Sequence, residues 1–178
     1  MSVLLTFQPG RQSMVEQVAL YDEVLRRPGV GVALEPAWRL QPGEVPGSGS
    51  GVVAADEVNA VVDHLAALTD EAALPPKMLL VRMANPGSVT DVGGIEADRV
   101  QVGVVLEVNG AGVTAPADPA DPAAPAAVTP ADVWGAGTAL PWGPSQGRGW
   151  WGWGQGRNAV GITELQALVP APVVVTSP

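Results

Sequence analysis

The run Val30-Gly31-Val32-Ala33-Leu34 decides the fold. It is apolar without interruption. A strand with one wet face alternates apolar and polar residues, whereas a strand of a parallel sheet is covered on both faces and reads as this one does. Pro28-Gly29 precedes the run and Glu35-Pro36 follows it, so it is punctuated at both ends. Working outward, similar runs occur at residues 3–7 (VLLTF), 77–83 (KMLLVRM) and 102–108 (VGVVLEV).

Segments with helical spacing lie between these runs. Met14, Val15, Val18, Tyr21 and Leu25 follow Ser13, a good N-cap, and predict one helix that ends at Pro28-Gly29. Val58, Val61, Val62, Leu65 and Leu68 form one stripe and predict a helix over 54–73, stopped by Pro75-Pro76. A weak helix is expected over 89–98. Another is expected over 132–140, weakened by Gly135 and Gly137. A short one follows over 162–169. Further strands are expected over 150–153 and 173–176. Residues 35–52, rich in Pro, Gly and Ser, read as a long loop. Residues 115–130 are almost entirely Ala, Pro and Asp, and this low-complexity insert has little to bury.

Single helical crossovers between buried strands predict a parallel sheet with right-handed connections. No GxGxxG or P-loop follows any strand, so the dinucleotide and phosphate versions of an open sheet lack support. The expected fold is α/β, a partial (β/α) TIM-type barrel with parallel strands. A closed barrel of eight such units takes roughly 250 residues, and this chain has 178. It therefore reads as one incomplete barrel domain over 1–178 that begins directly on a strand.

Composition narrows the function classes. The net charge is −9 with nine Lys and Arg, which suits neither a phosphate backbone nor an anionic lipid surface, so no nucleic acid partner is expected. There is no Cys and a single His, His64. Thiol chemistry, Cys-ligated metals, His clusters and a Ser-His-Asp triad all lose support, and neither metal nor cofactor is expected. No apolar run is long enough for a transmembrane segment. The first residues, MSVLLTFQPGR, lack a basic n-region and do not read as a signal peptide.

Several strings recur together in order: FQPGR, GVALEPAWRLQPGEVPG, ADEVNAVVDHLAAL, LPPKMLLV, VVLEVNG and ELQALVPAPVVV. On these the chain resembles the C-terminal portion of an uncharacterised family of bacterial secreted proteins, often described as lipoproteins. The resemblance implies a barrel domain like that of glycoside hydrolases and an extracytoplasmic setting. It also implies a further barrel portion upstream. The chain departs from the family at its rim. Glu35-Pro36-Ala37-Trp38 stands where the family tends to have Asp-Pro-Glu-Trp. Arg82-Met83 stands for a His-Gln pair, and Glu107-Val108-Asn109-Gly110 for Asn-x-Asp-Gly. Gly152-Trp153-Gly154-Gln155 stands for a Phe-Tyr strand end.

Parallel barrels carry their chemistry at the C-terminal ends of the strands. The expected rim holds Gln8 and Arg11; Glu35, Trp38 and Arg39; Arg82 and Asn85; Glu107 and Asn109; Trp153, Gln155 and Arg157. Glu35 and Glu107 are its carboxylates and so the catalytic candidates, since glycoside hydrolysis uses two. Arg11, Trp38, Arg39, Arg82, Asn109 and Trp153 are candidates for binding substrate. The competing reading makes these ion pairs of the scaffold, Glu35 with Arg39 or Arg11 and Glu107 with Arg82. The six Trp residues divide likewise. Flat aromatic faces stack on sugar rings, but Trp also fills small cores. His64, off the apolar stripe, reads as a solvated helix position.

Two functional readings follow. The preferred one is a diverged, non-catalytic member of the secreted family. The alternative is a glycoside-hydrolase-like enzyme that acts on or binds carbohydrate. An incomplete barrel also leaves two open sheet edges, so homo-oligomer formation, aggregation or partial disorder is expected.

Overall fold

The computed structural model describes residues 2–46, 51–110, 113, 128–139, 147–151 and 160–176. In chain order the elements are β1 (Val3–Phe7), α1 (Met14–Ala19), α2 (Asp22–Leu25), β2 (Val30–Leu34), β3 (Val53–Ala54), α3 (Ala55–Glu71), β4 (Lys77–Met83), β5 (Val89–Thr90), β6 (Val102–Asn109), α4 (Pro130–Thr138), β7 (Gly147–Trp151), α5 (Ile162–Gln166) and β8 (Val174–Thr176). Short 3-10 turns span Pro36–Trp38 and Val92–Gly94.

Six strands form one all-parallel sheet in the order β1-β2-β4-β6-β7-β8. Each strand joins on the same side of the one before it, so the order never reverses. A doubly wound sheet reverses at a switch point; this one does not. The sheet is curled, half a barrel in form. The expected barrel-type parallel sheet is thus observed as an open half, with β1 and β8 at the two ends of the order.

The two faces carry different residues. Val32, Leu34, Leu79, Val81, Val104 and Leu106 face outward. They join Met14, Val18 and Leu25 with the stripe of α3 in one large buried cluster. A second cluster gathers Val108, Trp134, Trp150, Val160, Leu165 and Leu168 under α4 and α5. On the concave face Ala33, Leu80 and Val105 pack with Leu4 and Val174. The central strands β2 and β4 are buried along almost their whole length, as the continuous apolar runs implied, while β1 is half exposed. At the N-terminal end of the sheet Lys77 is buried, with Nζ donating to the carbonyls of Val30 and Arg27 at 3.1 and 3.4 Å. Burial pushes its ammonium pKa down.

Four expectations about elements need correction. The first helix is two. The chain turns at Tyr21, whose ring packs edge-on against Phe7 with centroids 5.4 Å apart. The weak helix over 89–98 is instead β5, paired in parallel with β3, followed by a 3-10 turn. Asp91 adopts a left-handed conformation (φ 53°) that stops any helix there. Pro130, assigned to the low-complexity insert, is the first residue of α4, which Thr129 caps through a reciprocal bond with Asp132. His64 is half-buried, with Nε2 2.8 Å from Asp22 Oδ1, because α3 lies against α2 there.

Candidate functional site

Period-2 geometry builds the site. Leu4, Ala33, Leu80, Val105 and Val174 form the apolar layer of the concave face. Two residues further along each of those strands stand Thr6, Glu35, Arg82, Glu107 and Thr176. Successive side chains alternate faces, so this second set is a polar layer on the same face, nearer the C-terminal ends of the strands. Strand β7 supplies glycine to both layers. A Cβ on Gly147 would lie 3.0 Å from Val105 Cγ2, and one on Gly149 would lie 2.9 Å from Glu107 Cγ. The missing side chains make room for their neighbours on β6. They also let Thr176, one strand beyond, reach over β7 to Glu107.

The layer is one hydrogen-bonded row. Arg82 Nη1 donates to Glu35 Oε1 at 3.0 Å and Arg82 Nε donates to Glu107 Oε2 at 3.1 Å. Gln8 Nε2 donates to Glu35 Oε2 at 2.7 Å, and Thr176 Oγ1 donates to Glu107 Oε1 at 2.7 Å. Arg82 Nη1 also lies 3.4 Å from Thr6 Oγ1. Residue exposure is 7% for Glu35, 8% for Arg82 and 0% for Glu107. Burial pushes the Glu107 carboxyl pKa up. The bonds from Thr176 and Arg82 oppose that shift without cancelling it, and the Glu35 charge adds to it.

Glu35, Arg82 and Glu107 are therefore brought together. Gln8, also expected on the rim, joins them through Glu35. The other candidates are not part of the row. Arg39 Nε pairs with Glu57 at 2.9 Å and its Nη1 donates to the carbonyls of Gly10 and Leu40, tying the loop after β2 to α3. Arg11 Nη2 donates to the Glu44 carbonyl at 2.9 Å on the surface. Neither reaches Glu35, so the expected Glu35 pairing with Arg39 or Arg11 is corrected to Arg82. The expected Arg82–Glu107 pair is present. Trp38 is 45% exposed in the turn after β2. Asn109 ends β6 and donates to the Ala84 carbonyl at 3.2 Å. Trp153, Gln155 and Arg157 lie outside the described residues.

Thr6 and Thr176 were not anticipated. The signal was present as a polar residue two places after an apolar one in each concave-facing run. Two of the Trp residues are core. Trp134 and Trp150 are buried with ring centroids 6.1 Å apart, and Trp134 Nε1 donates to the Pro170 carbonyl at 2.9 Å. Sugar stacking is excluded for both. Gly137, expected to weaken α4, also lets it sit close on β6, since a Cβ there would be 2.5 Å from Val108 Cγ2.

A cleft of about 330 Å³ opens between α4 and the C-terminal ends of β4 and β6, and none of the row's side chains lines it. Its lining is mainly apolar, including Met83, Pro86, Val108 and Val133. Its polar groups are already employed: Asn109 on Ala84, Asn85 Oδ1 on the Gly87 N–H, and Asp132 on Thr129. Among the described residues no group of three or more His, Asp and Glu side chains is placed to hold a metal. No helix among them is long and apolar enough to cross a membrane. The chain matches no family model, no curated protein and no solved structure.

Proposed function

We propose that the chain is a diverged, non-catalytic domain of the TIM-barrel type, in which the polar layer braces the sheet. One observation carries this reading. Arg82 stands between the two carboxylates, and each of the four carboxylate oxygens already accepts a hydrogen bond from the protein. A hydrolase needs one carboxyl free to donate a proton and another free to attack or to activate water. Glu107, with no exposed surface, touches no substrate in this arrangement.

The second reading is a glycoside-hydrolase-like enzyme of the extracytoplasmic space. Its support is the raised pKa of Glu107 beside a second carboxylate, the division of roles that acid and nucleophile require. In it Glu107 is the acid and Glu35 the nucleophile or base, with Trp38, Asn109 and Trp153 placed around a sugar.

The deciding experiment is a screen of aryl glycosides and polysaccharides with the wild type, Glu35→Gln and Glu107→Gln. The non-catalytic reading expects the same background rate from all three. Turnover by the wild type that either substitution abolishes, at unchanged melting temperature, establishes the hydrolase instead.

A further inference from the structure

Strand β1 stands at one end of the sheet, and no described strand pairs with its outer side. Val3 N donates to the Gly29 carbonyl, and the Phe7 carbonyl accepts from Glu35 N. Backbone groups alternate sides along a strand, so Val3, Leu5 and Phe7 address β2 while Leu4 and Thr6 address the open side. A groove of about 250 Å³ runs along that side, lined by residues 4–8, Gln17 and Tyr21. Gln17 Nε2 donates to the Gln8 carbonyl at 3.3 Å. Gln17 Oε1 is buried and has no hydrogen-bond partner. The unpaired backbone groups of Leu4 and Thr6 are what this edge offers an incoming strand.

The sequence of β1 says which strand. Val3-Leu4-Leu5-Thr6-Phe7 has no charge and no proline, the usual devices that blunt an edge. The opposite edge is blunted. Strand β8 has three residues, with Pro170 and Pro172 before it and Pro178 after it. A head-to-tail contact of β1 on β8 therefore has little to hold it, whereas β1 on β1 is self-complementary.

We propose that β1 pairs antiparallel with β1 of a second copy of this chain, about a two-fold axis at Leu5. Leu4 then lies opposite Thr6 of the second copy, and the backbone groups of these two residues, which address the open side, exchange N–H and C=O bonds in both directions. Val3, 41% exposed, meets Phe7. Leu5 meets Leu5 in a non-hydrogen-bonded pair. No like charges meet across the contact, although each chain carries a net charge of −9. Ser2 of the second copy comes opposite Gln8. The pairing does not depend on whether the polar layer is catalytic.

Sedimentation and light scattering of the full chain over a range of concentrations test it. The expected mass is twice the 18.1 kDa of one chain. Thr6→Pro removes an outward N–H and leaves the β1–β2 bonds intact, so it is expected to give a folded monomer by circular dichroism. The chain has no Cys, so Leu5→Cys supplies a single thiol at the axis and is expected to form a disulfide dimer under mild oxidation. Val175→Cys on β8 is expected to stay monomeric on a denaturing gel. A monomer at every concentration overturns the proposal, even one whose β1 amides are protected from exchange by some other strand. So does a dimer that Thr6→Pro leaves intact, or one that Val175→Cys links and Leu5→Cys does not.

Discussion

Arg82 on β4 and Glu107 on β6 are partners in strand register, and the side-chain bond between them is 3.1 Å long. The backbone ladder thus places the ion pair before any side-chain search. The same guanidinium holds Glu35, the residue after β2, at 3.0 Å. One buried cation serves two buried anions, and the loss of that cation is the most severe single change the site offers. Arg82→Met, close in shape, leaves both carboxylates without their shared partner. Removing one member of a buried pair typically costs about 3–5 kcal/mol. Urea unfolding at neutral pH is expected to show a loss of that order, and a loss under about 1 kcal/mol would mean that the row is solvated in solution.

Glu107 gives the protein a pH signature. Its folded pKa is raised, so folding favours the neutral form. Its contribution to stability is complete below the unfolded carboxyl pKa and is lost as pH rises through the raised folded value. Glu107→Gln removes this proton linkage. Wild-type stability is expected to fall relative to the variant as pH rises across that window. The slope is limited to about 1.4 kcal/mol per pH unit for one proton. Parallel urea titrations of the two proteins from pH 4 to pH 8 measure the difference directly, and identical pH profiles would remove Glu107 as its source.

The glycines of the sheet separate by their surroundings. A methyl at Gly149 meets Glu107 Cγ at 2.9 Å, while a methyl at Gly103 finds its nearest neighbour, the Lys77 carbonyl, at 4.0 Å. Gly149→Ala is expected to cost about 1–3 kcal/mol through overpacking. Gly103→Ala is expected to be neutral or to gain up to about 1 kcal/mol through reduced chain entropy. Thermal melts of the two variants, read together, distinguish crowding at the polar layer from a general intolerance of the sheet.

Ala73 lies just past α3 with φ 49°. An L-residue in that left-handed conformation is strained by about 1–2 kcal/mol relative to glycine. Ala73→Gly is expected to raise the melting temperature, against the usual direction for a glycine substitution. A lowered value would show that α3 ends differently in solution.

The sheet was legible because buried parallel strands have a plain sequence form, and β2, β4 and β6 all have it. The strand-end rule also brought Glu35, Arg82 and Glu107 onto one page. Their mutual pairing was only half legible. Arg39 is nearer to Glu35 in sequence, yet α3 presents Glu57 to it, and that contact depends on how the helix docks. Thr6 and Thr176 escaped because a lone threonine in an apolar strand carries no charge to attract attention. Its meaning appears only once the glycine of β7 clears the way to Glu107. The turn at Tyr21 escaped for a similar reason, since helical periodicity continues through it and only the contact with Phe7 shows the break.

The outward face of the sheet holds two separate buried clusters, and β6 belongs to both. Leu106 packs in the first and Val108, one pleat further on, in the second. A single sheet with two cores need not melt in one step. The unit of β7, β8, α4 and α5 is the smaller, and among the described residues its only sheet contact with the larger unit is the β6–β7 ladder. Loss of that ladder, together with the packing of α4 on Val108, would release the small unit and leave β1, β2, β4 and β6 with their helices intact. Amide exchange in β7 and β8 is then governed by a subglobal opening of lower free energy, and exchange in β4 by global unfolding. Thr176 belongs to the unit that opens first, so each such opening also strips Glu107 of one of its hydrogen bonds. The acid–base behaviour of the buried carboxylate is thereby tied to the cooperativity of the chain's last third.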